Sequence, residues 1–380
     1  MFDEIISFIK NLYPGEIPVP LHAPRFMGNE KKYLLDCIDS TYVSYVGKYV
    51  SQFEEKIQKF TGSGYAVAVV NGTEALHLAL LLAGVKIEDE VITQPLTFVA
   101  TVNAISYCGA FPIFVDVEES TLGLNPEALA DFLETHADLK EDGNCYNKKT
   151  EKKISACVPM HTFGHPCRID HIVAICKKYH IPVVEDAAEA LGSFYKGQHA
   201  GTFGHIGIFS FNGNKPVTTG GGGIILTNSQ SIAQKARHLS TTAKVPHRWE
   251  FNHDQVGYNC RMPNINAAIG CAQMENFPLI LQDKRDTARA YSDYFKTIDI
   301  SFVTEPVEAK SNYWLNAIIL KNKTERNEFI QYANESGVQV RPVWTLMNHL
   351  PMFNHCQCGP LDVANWLEDR VVNLPSSIKQ

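Results

Sequence analysis

The sequence has no apolar run that approaches the roughly 20 residues of a membrane-spanning helix. Its N-terminus, MFDEIISFIKNLYPG, lacks the basic start and long apolar stretch of a signal peptide. Basic residues are not in excess either, because 34 Lys and Arg stand against 41 Asp and Glu and give a formal net charge of −7. We therefore expect a soluble, cytoplasmic protein that binds a small molecule rather than nucleic acid or an anionic membrane.

The ten cysteines form neither a disulfide framework nor a metal-site pattern. They are scattered, and several lie in apolar runs, which favours reduced thiols in the cytoplasm. The densest cluster, His355-Cys356-Gln357-Cys358, lacks a second Cys or His pair at a zinc-ribbon spacing. Surface-loop cysteines are the simpler interpretation, and we predict no metal.

Two glycine-rich stretches fail to match the common phosphate-binding motifs. The glycines after Lys215 lead into a strand-like segment, and the order Gly-Asn-Lys-Pro differs from the Gly-Lys-Ser/Thr of a P-loop. TGSGYAV at 61–67 lacks the third glycine of a dinucleotide fingerprint, and it precedes a strand instead of following one. Neither kind of nucleotide-binding loop is therefore indicated.

Short Val/Ile-rich runs recur through most of the first 230 residues. Their apolarity is continuous, as in strands buried on both faces, and helix-like stretches such as 74–83 and 169–179 separate them. This order predicts an α/β fold with a mainly parallel sheet. After about residue 245 the pattern changes, so we predict a large domain over 1–245, including an N-terminal arm, and a small α+β domain over 246–380.

Lys215 lies between the strand-like IGIFSF at 206–211 and the glycines at 220–223. Pro216 disfavours helical backbone at Lys215, so we expect the lysine in an extended or turn conformation just beyond a strand end. An amine held there can be partly desolvated, which favours its neutral, nucleophilic form. Lys215 is thus a candidate Schiff-base lysine, and a solvated loop lysine is the alternative.

Two further stretches supply what pyridoxal phosphate needs besides an amine, namely a carboxylate for its ring nitrogen and donors for its phosphate. Asp186 ends the buried strand IPVVEDA, at the edge where a parallel sheet binds ligands. Asn71-Gly72-Thr73 turns a strand into a helix whose first amides, with the Thr73 hydroxyl, attract an anion. Singly, these could be a helix-capping acid and an ordinary strand-to-helix turn. Together with Lys215 they predict a pyridoxal phosphate site.

Phe98, in QPLTFVATVNAI, follows another strand end and could provide an aromatic face for the pyridine ring. A core phenylalanine is the alternative. Glycines 220–223 predict close backbone approach or positive φ near the cofactor loop. A bulge before the next strand explains them nearly as well.

The chain resembles the pyridoxal-phosphate sugar aminotransferases of the DegT/DnrJ/EryC1/StrS family, which have the fold-type I architecture. The stretches that carry the resemblance span nearly the whole chain; in order they are NGTEALHLAL, TFVATVNAI, HTFGHP, VVEDAAEALGS, FSFNGNK, TTGGGG and GYNCRMPNINAAIG. The resemblance implies a seven-stranded, mainly parallel sheet in a large domain, a smaller domain, and a homodimer with active sites at the subunit interface. It also implies amino transfer, usually from L-glutamate, to the keto group of a nucleotide sugar.

The same resemblance implies roles for individual residues. Lys215 would bind the cofactor covalently and shuttle protons, and Asp186 would pair with the ring nitrogen. The other cofactor contacts would be Gly72, Thr73 and Ser210 at the phosphate, Phe98 on the ring, Glu189 near the cofactor hydroxyl, and Asn259 reaching the phosphate from the other subunit.

His161 and Arg341 are candidates for substrate contacts. His161 lies in the HTFG run, where a satisfied structural histidine is the alternative. Arg341, in VQVRP, is the first candidate for the substrate diphosphate, and an ion pair within the small domain is its alternative. Cys260 stands where the family pattern has the second tyrosine of GYNYRM, which puts a contact by that ring in doubt but not the role of Asn259.

FSFNGNK and RPVWTLMNHLPMF most resemble the branch that aminates UDP-linked 4-keto-6-deoxy sugars on the way to legionaminic acid or bacillosamine. We therefore expect amination at C4 of a UDP sugar. The first alternative is a dTDP- or GDP-linked keto sugar, aminated at C3 or C4, and the second is a non-catalytic regulatory protein that binds pyridoxal phosphate. Related sugar 3-dehydratases carry a histidine in place of the Schiff-base lysine, so Lys215 argues against that activity.

Borohydride reduction of the purified protein should fix a pyridoxyl group on Lys215, and Lys215→Ala should abolish transamination. The reason is that the substitution removes both the covalent link to the cofactor and the proton carrier. Peptide mapping by mass spectrometry identifies the modified lysine. A pyridoxyl group on any other lysine would contradict the assignment.

Overall fold

The computed structural model describes residues 2–379. Within that range eleven α-helices and sixteen β-strands occur, together with 3₁₀ turns at Thr162–Gly164 and Met347–His349. The helices are α1 Phe2–Leu12, α2 Glu30–Asp39, α3 Lys48–Thr61, α4 Gly72–Ala83, α5 Val99–Tyr107, α6 Pro126–His136, α7 Ile169–Lys178, α8 Gln230–Ser240, α9 Asn264–Phe295, α10 Lys323–Glu335 and α11 Asp362–Glu368. The strands are β1 Tyr65–Val69, β2 Glu90–Thr93, β3 Phe111–Phe114, β4 Ala137–Leu139, β5 Cys145–Asn147, β6 Ile154–Val158, β7 Val184–Asp186, β8 Phe194–Tyr195, β9 Gln198–His199, β10 Ile206–Ser210, β11 Gly223–Thr227, β12 Ser301–Phe302, β13 Ala309–Lys310, β14 Asn316–Ile319, β15 Arg341–Pro342 and β16 Val371–Leu374.

Seven strands follow one another in the order β3-β2-β6-β7-β10-β11-β1. Two hydrogen-bonded groups, β3-β2-β6 and β7-β10-β11-β1, are joined by parallel bridges from Cys157 to Val183 and from Met160 to Asp186. Among these strands β11 is antiparallel to both of its neighbours, and the other pairings are parallel. The predicted mainly parallel sheet of a fold-type I enzyme is therefore confirmed.

Helices cover both faces of this sheet, which explains the continuous apolarity of its strands. In β10, Phe209 packs into a cluster with Phe53 and Phe277 on one face. The preceding residue, Ile208, packs with Leu78 on the opposite face, because successive strand side chains alternate. Parallel strands buried in this way end at a common edge that is free to bind a ligand.

A second, antiparallel sheet has the order β12-β14-β16-β15. Its apolar face packs with α10 and the end of α9, and Phe329 and Tyr291 lie at the centre of the cluster. The N-terminal helix α1 also packs here through Ile5 and Ile9. The N-terminal arm thus lies on elements from the C-terminal part of the chain.

The long helix α9 connects the two sheets. Its N-terminal half packs against α2 and α3, with Phe277 in the core of the large sheet. Its C-terminal half carries Tyr291 into the core of the small sheet.

The division of the chain into two domains at residue 245 remains a proposal. The charged segment 135–153 contains the short hairpin β4–β5.

Candidate active site

A cavity of about 520 Å³ lies at the carboxyl ends of β7 and β10 and is closed on the far side by the small sheet and the N-terminal arm. Eight sequence-predicted site residues line it, and these are Gly72, Thr73, Phe98, Asp186, Glu189, Ser210, Lys215 and Arg341. A volume in this range suits a small-molecule ligand. The edge of the sheet therefore brings the predicted site together.

Lys215 is buried at the floor of the cavity, in a turn closed by the bond from its amide to Asn212 O (3.0 Å). Its side chain is only 10% exposed, and Nζ donates to Glu189 Oε1 at 3.2 Å. The ammonium also lies 3.5 Å from the centre of the Trp314 ring, within the range of a cation–π contact. Lys215 is therefore not a solvated loop lysine.

Asp186 ends β7 and is held by two donors. The Thr101 hydroxyl donates to Oδ2 at 2.6 Å, and the amide of Ala188 donates to Oδ1 at 3.1 Å. Burial raises the pKa of Asp186, while these donors and the charge of Lys215 oppose the rise. A positively charged group beside Asp186 would stabilise its ionised form further.

Glu189 lies between Lys215 and the 3₁₀ turn that contains Phe163. Its Oε2 accepts a hydrogen bond from the Phe163 amide at 2.9 Å, while Oε1 accepts from Lys215. Burial is the main cause that raises the pKa of Glu189 to about 7, and the charge of Lys215 and the two donors oppose it. Glu189 can therefore exchange a proton near neutral pH.

The N-terminus of α4 provides free donors at the cavity wall. Asn71 caps the helix by accepting from the Glu74 amide at 2.8 Å, and the first main-chain helix bond is Ala75 N to Asn71 O. The amides of Gly72 and Thr73 thus have no intrahelical acceptor. A side chain at position 72 would place Cβ 2.8 Å from Cβ of Ser210, so only glycine lets the helix start this close to the strand end.

Phe98 is half exposed, at 50%, and its ring faces the cavity, so it is not a core phenylalanine. It occupies the N-cap position of α5 with extended backbone, and Thr101 follows in the first turn of the helix. Of the glycines at 220–223, Gly223 comes closest to another part of the main chain, because a Cβ there would lie 2.2 Å from Asn71 O. The glycine run therefore allows β11 to pass directly beneath the helix start.

His161 and Asn259 do not line this cavity. His161 is fully buried behind it, with Nε2 3.0 Å from Glu185 Oε2 and Nδ1 accepting from the Cys167 amide at 3.2 Å. Both ring nitrogens are thus engaged with protein groups, which matches a structural histidine rather than a substrate contact. Asn259 is exposed on the segment that follows α8.

Arg341 is an exposed residue at the cavity wall. No ion pair involving it occurs within residues 2–379, so the alternative of a domain-internal ion pair is not supported there. Sequence reasoning missed several other wall residues, among them Trp314, Trp344 and His22. Trp314 lies within the strand-like run NYWLN, where nothing marks it as a ligand contact.

The groups present fit pyridoxal phosphate. A buried amine, a buried carboxylate at a strand end, and a helix start with free amides beside the Ser210 hydroxyl all line one cavity. Glycine at position 72 lets the Ser210 hydroxyl lie beside those amides, so that the three donors can meet one anion. In the part of the chain that the structure describes, no group of three or more His, Cys, Asp or Glu is placed to hold a metal. Nor is any described helix both long and apolar enough to cross a membrane.

Comparisons with known proteins agree with this chemistry. Residues 25–379 match the DegT/DnrJ/EryC1/StrS aminotransferase family. GDP-perosamine synthase of Escherichia coli O157:H7 is 38% identical over 359 residues, covering 94% of this chain and 93% of the relative. EpsN of Bacillus subtilis, whose name describes a pyridoxal phosphate-dependent aminotransferase, is 36% identical over 335 residues, covering 88% and 83%. The structure of the aminotransferase TlmJ from Streptoalloteichus hindustanus superposes with a TM-score of 0.85 at 25% identity, covering 95% and 94%.

Glu189→Gln should change the pH dependence of stability in the cofactor-free protein. Because its pKa rises from 4.5 to about 7 on folding, the stability that Glu189 contributes is present below about pH 4.5 and is lost as the pH rises through 7. Relative to the variant, the wild type should lose about 3 kcal/mol of unfolding free energy between about pH 4.5 and 7.5. Urea unfolding of both proteins across this range measures the difference. An identical pH dependence would show that the carboxyl titrates normally.

Proposed function

Because the chain belongs to the DegT/DnrJ/EryC1/StrS family and is a pyridoxal-phosphate-dependent sugar aminotransferase, we propose that it transfers the amino group of L-glutamate to C4 of a nucleotide-linked 4-keto-6-deoxy sugar. The observation that carries this proposal is the convergence of Lys215, Asp186 and the free amides of α4 on one cavity. The remaining volume, bounded by the small sheet and the arm, is available to the substrate.

Lys215 and Asp186 are the two catalytic residues in this proposal. When bound, the cofactor supplies an electron-withdrawing ring that stabilises negative charge at the reacting carbon. Asp186, oriented by Thr101, would keep the ring nitrogen protonated. Lys215 Nζ would hold the cofactor covalently at rest and, once released, take the proton from Cα of the amino donor.

The other proposed cofactor contacts follow from the cavity wall. The amides of Gly72 and Thr73 and the Ser210 hydroxyl would bind the phosphate, aided by the helix dipole. Phe98 would pack on the ring face from its half-exposed position. Glu189 would lie near the cofactor hydroxyl and, with its pKa near 7, would hold or release a proton beside Lys215.

The nucleotide of the substrate is proposed to be GDP, with UDP as the second candidate. GDP is supported by the 38% identity to a GDP-perosamine synthase. The likeness of FSFNGNK and RPVWTLMNHLPMF to the UDP-sugar branch supports the alternative. In either case Arg341, exposed at the cavity wall and without an ion pair among the described residues, would neutralise part of the diphosphate charge.

We also propose a homodimer in which Asn259 completes the phosphate site of the other subunit. The supporting observation is that Asn259 is exposed and does not line the cavity of its own chain. The segment that carries it passes beside the start of the cavity-lining helix α4, since the amide of Val70 donates to Cys260 O at 2.9 Å. A twofold arrangement would place the same residue at both sites.

Incubation of the enzyme and L-glutamate with GDP-, UDP- and dTDP-linked 4-keto-6-deoxy sugars should yield a 4-amino sugar, most rapidly from the GDP sugar. Product identification by NMR reports both the nucleotide and the position of the amine. Faster turnover of a UDP or dTDP sugar would overturn the nucleotide assignment alone. A competent half-reaction with glutamate but no amino sugar from any of the three would overturn the sugar substrate.

Mixing Lys215→Ala with Asn259→Ala should restore activity if the sites are shared. Each variant alone has a lesion in both of its sites, whereas a mixed dimer has one site free of both lesions and one that carries both. Activity measured after co-refolding, with the fraction of mixed dimer determined by native mass spectrometry, tests this expectation. Mixed dimers without regained activity would place both residues in the same site.

A further inference from the structure

Some buried polar atoms without a partner belong to residues at the wall of the cavity. Within residues 2–379, seven buried side-chain nitrogen or oxygen atoms have no hydrogen-bond partner. Three of them, Nδ1 and Nε2 of His22 and Nδ2 of Asn373, belong to residues that line the cavity. Neither residue is among those proposed to bind the cofactor. Buried polar atoms are normally paired, so three orphans in one cavity point to a polar ligand.

His22 is held in place by its neighbours in the N-terminal arm. Leu21 O accepts from the Ser376 amide at 2.7 Å, and the Ala23 amide donates to Ser377 Oγ at 2.9 Å. The main chain on both sides of His22 is therefore fixed to the C-terminal segment. The residue is half-buried, yet both of its ring nitrogens are buried and unpaired. Such fixed backbone orients the imidazole before a ligand arrives.

Asn373 reaches the cavity wall from the small sheet. It lies in β16 directly opposite Arg341 of β15, so the two side chains project from the same face of the small sheet. Arg341 is exposed at the cavity wall, whereas Asn373 is buried deeper. A ligand whose charged end meets Arg341 can therefore extend inward to Asn373.

His22 is kept neutral by its surroundings. Burial is the main cause that lowers its pKa, and the nearby positive charges of Lys284 and Lys215 lower it further. A neutral imidazole offers one donor and one acceptor, and Asn373 offers an amide donor. A carboxylate only accepts hydrogen bonds and would leave the acceptor nitrogen unpaired, whereas hydroxyl groups both donate and accept and can pair with either ring nitrogen.

We propose that His22 and Asn373 form a hydroxyl-binding subsite that recognises the hexose ring of the substrate between the diphosphate and the reacting carbon. This inference rests on the proposed function, because it requires a nucleotide sugar in the cavity. The subsite acts by hydrogen bonding to neutral hydroxyls. It therefore affects the sugar half-reaction and not the cofactor or the amino donor.

The holoenzyme and three variants test the subsite. His22→Leu removes both polar atoms at similar size, and His22→Gln retains a donor and an acceptor. Thr287→Val is the matched control, because it removes a buried, unpaired hydroxyl that does not line the cavity. For each protein, kcat/KM is measured with the keto sugar and with L-glutamate, and the Kd of the amino-sugar product is measured by calorimetry.

For His22→Leu, the ratio of the sugar to the glutamate kcat/KM should fall by about tenfold or more, with a matching rise in the Kd of the amino sugar. His22→Gln should regain a substantial part of this loss, and Thr287→Val should keep the wild-type ratio. Monodeoxy analogues of the sugar sharpen the test. The wild type should use the analogue that lacks the hydroxyl bound by His22 less well than the parent sugar. His22→Leu should use the two sugars about equally well.

Three outcomes would overturn the subsite while leaving the aminotransferase function intact. The first is an unchanged ratio in His22→Leu, and the second is an equal loss of kcat/KM with both substrates. The third is equal sensitivity of the wild type and His22→Leu to every monodeoxy analogue. If the wild type reacts with glutamate but aminates none of the nucleotide sugars, the proposed substrate fails and the subsite fails with it. The two failures are thus distinguished by the wild-type reaction alone.

Discussion

The buried contact between Lys215 and Glu189 is the interaction on which the rest of the site depends. Charges removed from water are costly unless they are paired and hydrogen-bonded. Both members of this pair have further partners that help to meet this requirement. The Phe163 amide donates to the second oxygen of Glu189, and the Trp314 ring faces the ammonium. The amine is therefore held in one position at the cavity wall, ready to meet a carbonyl.

The parallel sheet makes this arrangement possible because its strands end at one edge, which brings together residues far apart in sequence. Close backbone approach then completes the wall: glycine at 72 lets α4 start beside Ser210, and glycine at 223 lets β11 pass beneath Asn71. Larger side chains at either position would push the free amides of the helix away from the cavity. The anion site is therefore a property of the main chain as much as of particular side chains.

Sequence reasoning predicted the features that depend on hydrophobic periodicity and on position at the end of a strand. The mainly parallel sheet, the family and the cofactor are confirmed, and the cavity brings Lys215, Asp186 and the α4 start together as expected. The UDP branch is not confirmed, since the similar proteins include GDP-perosamine synthases. Recognition of the base leaves no spacing pattern from which the nucleotide could be predicted. His161 was placed near the pocket by its motif alone, and its partner Glu185, on the neighbouring strand, could not be anticipated. His22 and Trp314 were missed because long-range packing, rather than any local pattern, brings them to the wall.

The arm that carries His22 and the strand that carries Asn373 lie about 350 positions apart, yet both close the same cavity. During synthesis the strand ends around Lys215 leave the ribosome well before β16 does, while the arm still lacks the C-terminal segment to which it binds. A nascent chain can therefore assemble the cofactor-facing half of the pocket without enclosing it. Enclosure is acquired only when translation of the last segment allows the two distant parts of the chain to meet.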